Sequence, residues 1–261
     1  MQSYLVPEAN AGAVALVTGG GTGIGRAIAD ALAASGAAIA ICGRRPEPLE
    51  EARAAIEAAG GSCMTTVCDV REPDQVDAML EAVAGRYGRL DVLVNNAGGQ
   101  FVADAERISL KGFRAVHRLG VDAVWDVTQK AANRFMIPQQ SGVVLFIGFS
   151  PRVQPGYLHA TAARAAVENL AAGLAAEWSR YGIRTVSLRV GNVLTDGAVE
   201  AYGAEVVEGW QRTVPLGRLG RPDDVAHAAA FLASPAASWI TGTSIAIDGG
   251  QDSWGSGPPT S

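Results

Sequence analysis

The chain has 261 residues, 48% of them hydrophobic, with a formal net charge of −5 and no basic block. This length and apolar content are sufficient for one domain with a large core, and the acidic balance argues against nucleic acid as a partner. No apolar run reaches the ~18 residues that cross a bilayer, the first residues do not resemble a signal peptide, and the three cysteines are scattered. We therefore expect a cytoplasmic protein with no membrane partner.

Short apolar strands alternate with amphipathic helices along the chain. Strands are predicted over residues 14–17, 37–42, 62–67, 90–94, 142–147, 185–190 and 244–247. Helices are predicted from the glycine-rich turn after the first strand to residue 36, and over 49–59, 73–87, 110–135, 159–181 and 222–232. Pro46 and Pro48 are expected to break the chain before the second helix, and residues 196–210 to form a looser lid in which Tyr202 and Trp210 contact the substrate.

This alternation indicates an α/β fold built from right-handed βαβ units. The predicted architecture is a Rossmann-like, doubly wound parallel sheet of about seven strands with helices on both faces. Neither a linker nor an internal repeat divides the sequence. We expect one domain over residues 1–252 and a flexible tail over 253–261.

A glycine-rich turn, T-G-G-G-T-G-I-G, follows the first strand and precedes a helix. Glycines allow the backbone to approach a ligand closely, and the free N–H groups at the start of the helix suit a diphosphate. The spacing differs from G-x-G-x-x-G, but the strand–turn–helix context is the one that this fingerprint requires. The loop residues predicted to hold the cofactor are Gly19, Gly21, Thr22, Gly23 and Gly25.

Polar residues follow the next three strands, at the edge of the sheet where such folds bind ligands. Arg44 and Arg45 occupy the place where an acidic residue would hold a ribose 2′-hydroxyl, so they favour NADP over NAD; two solvated arginines are the alternative. Asp69 is a candidate acceptor for an adenine amino group. Asn95 and Asn96 are suited to binding a ribose or to capping the next helix.

Together these motifs resemble the short-chain dehydrogenase/reductase family. The resemblance includes T-G-x-x-x-G-x-G, D-V at Asp69, N-N-A-G from Asn95, P-L-G-R from Pro215 and the I-T-G to D-G-G stretch near the end. It covers nearly the whole chain and implies a seven-stranded Rossmann sheet, a nicotinamide cofactor and a homotetramer or homodimer. The cofactor contacts that it implies are Gly19, Ile24, Asp69, Val70, Asn96, Gly98 and Thr195.

The catalytic positions depart from that family, whose members use an asparagine, a serine and Tyr-x-x-x-Lys. Arg164 aligns with the lysine and Ala160 with the tyrosine. Phe149 aligns with the serine, beside Ser150, and Gly120 aligns with the asparagine. Arg164 is able to bind ribose hydroxyls but is a poor proton relay. Within the family, the pattern is similar to peroxisomal trans-2-enoyl-CoA reductases and to ketoreductases of aromatic polyketides, such as the angucyclinone reductase of simocyclinone assembly.

The sequence therefore leaves three possible sources for the proton that the substrate gains. Tyr157 and His159 precede Arg164 closely enough to reach the pocket, although a pocket wall and a packing residue are the alternatives for them. The third possibility is a substrate whose own hydroxyl supplies the proton. No spacing of histidines or cysteines indicates a metal site.

The sequence thus favours an NADPH-dependent reductase of a ketone on an aromatic polyketide, assisted by its substrate. The candidate catalytic residues are Arg164, Tyr157, His159 and Ser150. The alternatives are a trans-2-enoyl thioester reductase and a non-catalytic NADP-binding subunit.

Overall fold

The computed structural model describes residues 6–150 and 154–253. Seven parallel strands form one sheet in the order β3-β2-β1-β4-β5-β6-β7, which confirms the predicted doubly wound architecture. The strands are β1 Val14–Thr18, β2 Ala38–Gly43, β3 Cys63–Val67, β4 Val92–Asn95, β5 Gly142–Ile147, β6 Ile183–Val190 and β7 Thr243–Ile247. Of the predicted tail, 253–261, all but the first residue lies outside the described residues.

Helices cover both faces of the sheet. They are α1 Gly23–Ala34, α2 Pro46–Ala58, α3 Pro73–Tyr87, α4 Leu110–His117, α5 Ala123–Ala131, α6 Ile137–Gln139, α7 Leu158–Trp178, α8 Asp196–Tyr202, α9 Ala204–Trp210 and α10 Pro222–Ala233. None of those in the described part of the chain combines the length and apolar character needed to span a membrane.

The core is divided by the sheet into two layers. One layer includes Ile28 of α1 and Val225 of α10, and the other includes Val76 of α3 and Val167 of α7. Because helices press on both faces, β1, β4 and β5 are buried along their whole length, whereas β7 at the edge is partly exposed. This explains why the central strands read as uninterrupted apolar runs.

The prediction that Pro46 and Pro48 break the chain ahead of the second helix is wrong. The helix begins at Pro46 itself. Proline lacks an N–H group and has a fixed φ, and both properties suit the first turn of a helix, where N–H groups have no partner within the helix.

The helical region from Leu110 onwards runs as α4, α5 and α6 joined by two wide π turns, Arg118–Asp122 and Ala132–Met136. Gly120 is buried in the first π turn, and a Cβ on it would lie 3.5 Å from Ala163 of α7. The position that aligns with the family's asparagine therefore presents no side chain to the site.

Residues 196–210, expected to be irregular, form the two short helices α8 and α9. The side chain of Thr195 caps α8 by accepting a hydrogen bond from the N–H of Ala198 at 3.1 Å. Gly203, with a φ of 84°, ends α8 and separates it from α9. Helices of 7 residues contain too few turns to give a clear apolar period, which is why the sequence pattern did not predict them.

Candidate functional site

The glycine turn after β1 is packed so tightly that a side chain has no room at Gly25. A Cβ there would lie 2.3 Å from the carbonyl oxygen of Gly19 and 2.4 Å from Nδ2 of Asn96. The N–H of Gly19 donates to the carbonyl of Cys42 at 2.8 Å, which ties the turn to the end of β2. Gly19 has a φ of 67°, a conformation that favours glycine.

The first turn of α1 leaves its N–H groups available. Thr22, at the N-cap, forms no side-chain hydrogen bond to the helix, and the N–H of Arg26 is the one that bonds to the carbonyl of Thr22, at 3.1 Å. Among the described residues, no hydrogen bond from the N–H of Gly23 or Ile24 to a loop or side-chain acceptor is found. Unpartnered N–H groups at the positive end of a 12-residue helix fit a diphosphate.

A cleft of about 860 Å³ runs from this turn across the carboxyl ends of β1 to β4, where the strand order reverses. It brings together every predicted cofactor residue except Arg164. These are Gly19, Gly21, Thr22, Gly23, Ile24, Gly25, Arg44, Arg45, Asp69, Val70, Asn96, Gly98 and Thr195. The residues present therefore fit a dinucleotide.

Asn96, which follows the neighbouring strand β4, and Thr18, at the end of β1, hold the turn in place. Asn96 donates through Nδ2 to the carbonyl of Thr18 at 2.9 Å, and Thr18 Oγ1 accepts from the N–H groups of Asn96 and Ala97, each at 3.0 Å. Asn95, by contrast, is buried and donates to Thr128 at 2.8 Å. Of the two candidate asparagines, the structure therefore places Asn96 alone at the cleft.

At the other end of the cleft, Arg44 and Arg45 are exposed to solvent, and Asp69 lies beyond them. Arg71, which the sequence reasoning did not single out, holds the carboxylate of Asp69 through Nε at 2.9 Å and Nη2 at 2.5 Å. This pairing lowers the pKa of Asp69 to about 2. The carboxylate is thus a permanent acceptor, as recognition of an adenine amino group requires.

We expect Arg71→Ala to lower the free energy of unfolding at pH 7 by about 1 kcal/mol, a value reduced for solvent screening of this partly exposed pair. A depressed carboxyl pKa stabilises the fold above its ordinary value of 3.8, and this contribution is lost as the pH falls towards about 2. The difference in the free energy of unfolding between the variant and the wild type should therefore become smaller below about pH 4. Urea denaturation at pH 7, 5 and 3.5 measures it. A constant difference would show that the pair does not act through charge.

A second cavity, of about 380 Å³, adjoins the cleft and shares Ile24, Gly98 and Thr195 with it. Four aromatic rings line it and contact one another in sequence. The ring centroids of Phe149 and Tyr157 are 5.9 Å apart, those of Tyr157 and Tyr202 6.2 Å, and those of Tyr202 and Trp210 5.1 Å. Tyr202 and Trp210 of the lid thus lie at the cavity, where the sequence analysis expected them.

Of the four candidate catalytic residues, the structure brings Arg164 and Tyr157 to this cavity. Burial, and then the neighbouring phenol of Tyr202, raise the pKa of Tyr157. Ala160, which aligns with the family's tyrosine, is buried, and its methyl side chain has no acidic proton to donate.

Ser150 and His159 do not line the cavity, contrary to the sequence prediction. Ser150 is fully buried and donates its hydroxyl proton to Asp248 at 2.5 Å. His159 is also fully buried, with its ring stacked on Phe101 at a centroid distance of 4.1 Å. In the described part of the chain, no group of three or more histidine, cysteine or acidic side chains is arranged to hold a metal.

Comparison with known proteins extends these observations. Residues 19–252 match the family model described as Enoyl-(Acyl carrier protein) reductase. A probable 2,4-dienoyl-CoA reductase [(2E)-enoyl-CoA-producing] of Bacillus subtilis (strain 168) is 36% identical over 241 residues, 90% of this chain and 95% of that relative.

Solved structures agree with that match. A short-chain type dehydrogenase/reductase from Mycobacterium marinum has a TM-score of 0.87 and 32% identity, covering 92% of this chain and 96% of that one. A gluconate 5-dehydrogenase from Burkholderia cenocepacia J2315, solved in complex with NADP and tartrate, has a TM-score of 0.87 and 33% identity, covering 93% of this chain and 96% of that one. The matched residues 19–252 include all those that line the cleft and the aromatic cavity.

Proposed function

Since this chain belongs to the short-chain dehydrogenase/reductase family and is an oxidoreductase, we propose that it is an NADPH-dependent reductase of an aromatic ketone, in an atypical branch without the usual serine, tyrosine and lysine. The preference for NADP is supported by Arg44 and Arg45 at the cleft, because two cations suit a 2′-phosphate. The Burkholderia cenocepacia relative was solved with NADP.

The observation that carries the substrate proposal is the aromatic lining of the second cavity, in which Arg164 is the one charged side chain among the described residues. Phe149, Tyr157, Tyr202 and Trp210 present flat surfaces against which a fused aromatic ketone of polyketide type stacks. A polyol such as gluconate would place hydroxyl groups against these rings. The cavity therefore favours the aromatic substrate over a sugar acid.

The proposed chemistry needs no acid from the protein. When bound, the reduced nicotinamide supplies a hydride to the carbonyl carbon. The carbonyl oxygen takes a proton from a hydroxyl on the adjacent ring of the substrate. Tyr157 is a weak donor because its pKa is raised, so the chain's own contribution is to orient the ketone and to exclude water. Orientation alone is worth roughly 7 kcal/mol or more in the best cases.

We expect Tyr157→Phe and His159→Ala each to change turnover of a peri-hydroxy aryl ketone by less than about tenfold, since general acid catalysis by a positioned residue would contribute 10²–10⁴-fold. Steady-state NADPH oxidation measures turnover, and tryptophan fluorescence checks that the cofactor still binds. A thousandfold fall in Tyr157→Phe, with cofactor binding retained and without such a fall in His159→Ala, would identify a protein acid and end the substrate-assisted mechanism.

The alternative is a trans-2-enoyl thioester reductase, favoured by the match to the family model described as Enoyl-(Acyl carrier protein) reductase. The Bacillus subtilis relative is named for the reduction of another unsaturated thioester, a 2,4-dienoyl-CoA. There the hydride goes to a β-carbon. NADPH oxidation with a panel of enoyl-CoAs and a panel of hydroxyaryl ketones separates the two functions directly. Turnover of neither panel despite tight NADPH binding would favour the non-catalytic subunit instead.

We also propose that the protein is a cytoplasmic homo-oligomer, a tetramer or a dimer. Large apolar side chains are exposed on several elements, among them Trp239, Leu110 and Leu158. Covering such residues with a second copy removes apolar area from water. Light scattering coupled to size exclusion measures the mass, and a monomer at micromolar concentration would contradict the proposal.

A further inference from the structure

Arg164 enters the aromatic cavity with most of its hydrogen-bonding capacity unused. Its Nη1 donates to the carbonyl of Ile147 at 2.8 Å, and its Nη2 lies 2.3 Å from the point where a Cβ on Gly98 would stand. A guanidinium has five N–H donors. Because the bond to Ile147 is the one side-chain bond that Arg164 makes to the described residues, the remaining donors are available to a ligand.

Arg164 also has no ion-pair partner in the described part of the chain. Among the described residues no carboxylate pairs with Arg164, and the residues outside them include neither aspartate nor glutamate. One turn along α7, Glu168 lines a third cavity that Arg164 also lines, and its carboxylate accepts a hydrogen bond from Ser244 at 3.1 Å. Burial lowers the pKa of Arg164, but a guanidinium remains charged at any physiological pH.

A partly buried cation without an ion-pair partner is costly, and a ligand that supplies the negative charge removes that cost. Resting on the function proposed above, we infer that Arg164 is the anion-binding residue of the substrate cavity and that the substrate is an aryl ketone with an ionisable phenolic hydroxyl beside its carbonyl. The phenolic oxygen binds against the free N–H groups of Arg164, where the phenolate forms once the phenol has given its proton to the carbonyl oxygen.

The reaction balances with this assignment. The carbonyl carbon gains a hydride, which carries both electrons of the reduction, and the carbonyl oxygen gains the phenolic proton as the phenol O–H bond breaks. The negative charge remains on the phenolate, next to Arg164, until a proton from solvent re-forms the phenol. Arg164 thus stabilises charge that appears during the reaction without giving up a proton itself.

The experiment uses 1-hydroxyanthraquinone as the probe, with the oxidised cofactor present so that no hydride is transferred. The visible absorption of the phenolate is titrated against pH, free and bound, and 1-methoxyanthraquinone is the matched compound that cannot ionise. We expect the wild-type protein to lower the pKa of the bound phenol by about one to three units, the effect of an opposite charge at close range. Arg164→Lys should retain a shift, and Arg164→Gln should abolish it.

The methoxy compound should bind wild type and Arg164→Gln within about threefold of each other, because dispersion and stacking are unchanged. A wild-type protein that binds the phenol without lowering its pKa, or an equal shift in Arg164→Gln, overturns the anion-binding role and leaves the proposed reductase standing. If neither compound binds to protein that binds NADP, the aromatic substrate class itself is wrong. The wild-type titration decides the matter even if Arg164→Gln does not fold.

Discussion

Replacing Gly25 with alanine should abolish measurable NADPH binding and lower the free energy of unfolding by several kcal/mol. The new methyl group would lie 2.3 Å from the carbonyl oxygen of Gly19, closer than real Cβ contacts occur, and 2.4 Å from Nδ2 of Asn96. Relief requires moving the turn backbone or breaking the hydrogen bonds by which Asn96 holds it. Either movement displaces the N–H groups at the start of α1, on which binding of the diphosphate depends. Urea denaturation and fluorescence titration with NADPH measure both effects.

Matched controls for this substitution exist in other helices. Gly85 of α3 and Gly173 of α7 have nothing within 4 Å of an added Cβ. Alanine at an exposed helical glycine stabilises by roughly 0.5–1 kcal/mol, so both control variants should bind NADPH as wild type and unfold at slightly higher urea. Wild-type NADPH affinity in the Gly25→Ala variant would show that the glycine turn is not the phosphate site.

The elements whose limits were predicted correctly are those with strong local signals at both ends. Residues 73–87 begin at a proline and end before Gly88, whose φ of 71° is typical of a helix C-terminus. Residues 142–147 form an uninterrupted apolar run between a polar turn and a glycine. The start of the second helix was predicted wrongly, because Pro46 was interpreted as a residue that breaks the chain and is in fact the first residue of the helix.

The cofactor residues could be predicted because each follows a strand, and the carboxyl ends of parallel strands meet at one edge of the sheet. The residues that hold these cofactor residues in place could not be predicted from the sequence. Thr18 and Asn96 are far apart in sequence, and the hydrogen bond that joins them depends on the pairing of β1 with β4. Arg71 is two residues from Asp69, but nothing in the pattern shows that its side chain turns back towards that carboxylate.

Among the candidate catalytic residues, the direction of the side chain separates those that line the cavity from those that do not. The chain continues in an extended conformation beyond β5, with the N–H groups of Gly148 and Ser150 bonded to β6, so side chains alternate in direction. Phe149 consequently faces the cavity and Ser150 the core. Tyr157 is the N-cap residue of α7, with a non-helical φ of −124° and ψ of 20°, whereas His159 lies inside the helix. Of the two, Tyr157 lines the cavity and His159 is fully buried elsewhere. Both residues were predicted at the site because they are close to Arg164 in sequence, but the side chain of His159 does not reach the cavity.

Reversing the charge at both Arg44 and Arg45 should raise the dissociation constant for NADPH roughly 100- to 10,000-fold without raising that for NADH. Charge-assisted hydrogen bonds to a phosphate contribute roughly 1.5–3 kcal/mol each, and NADH lacks the 2′-phosphate that would receive them. The control is Arg86→Glu with Arg180→Glu, the same change in net charge at two arginines that do not line the cleft. Equal losses of affinity for NADPH and NADH, or an equal loss of NADPH affinity in the control variant, would mean that the arginines act only through the overall electrostatic field of the protein. In that case the preference for NADP would have no local basis at the end of β2.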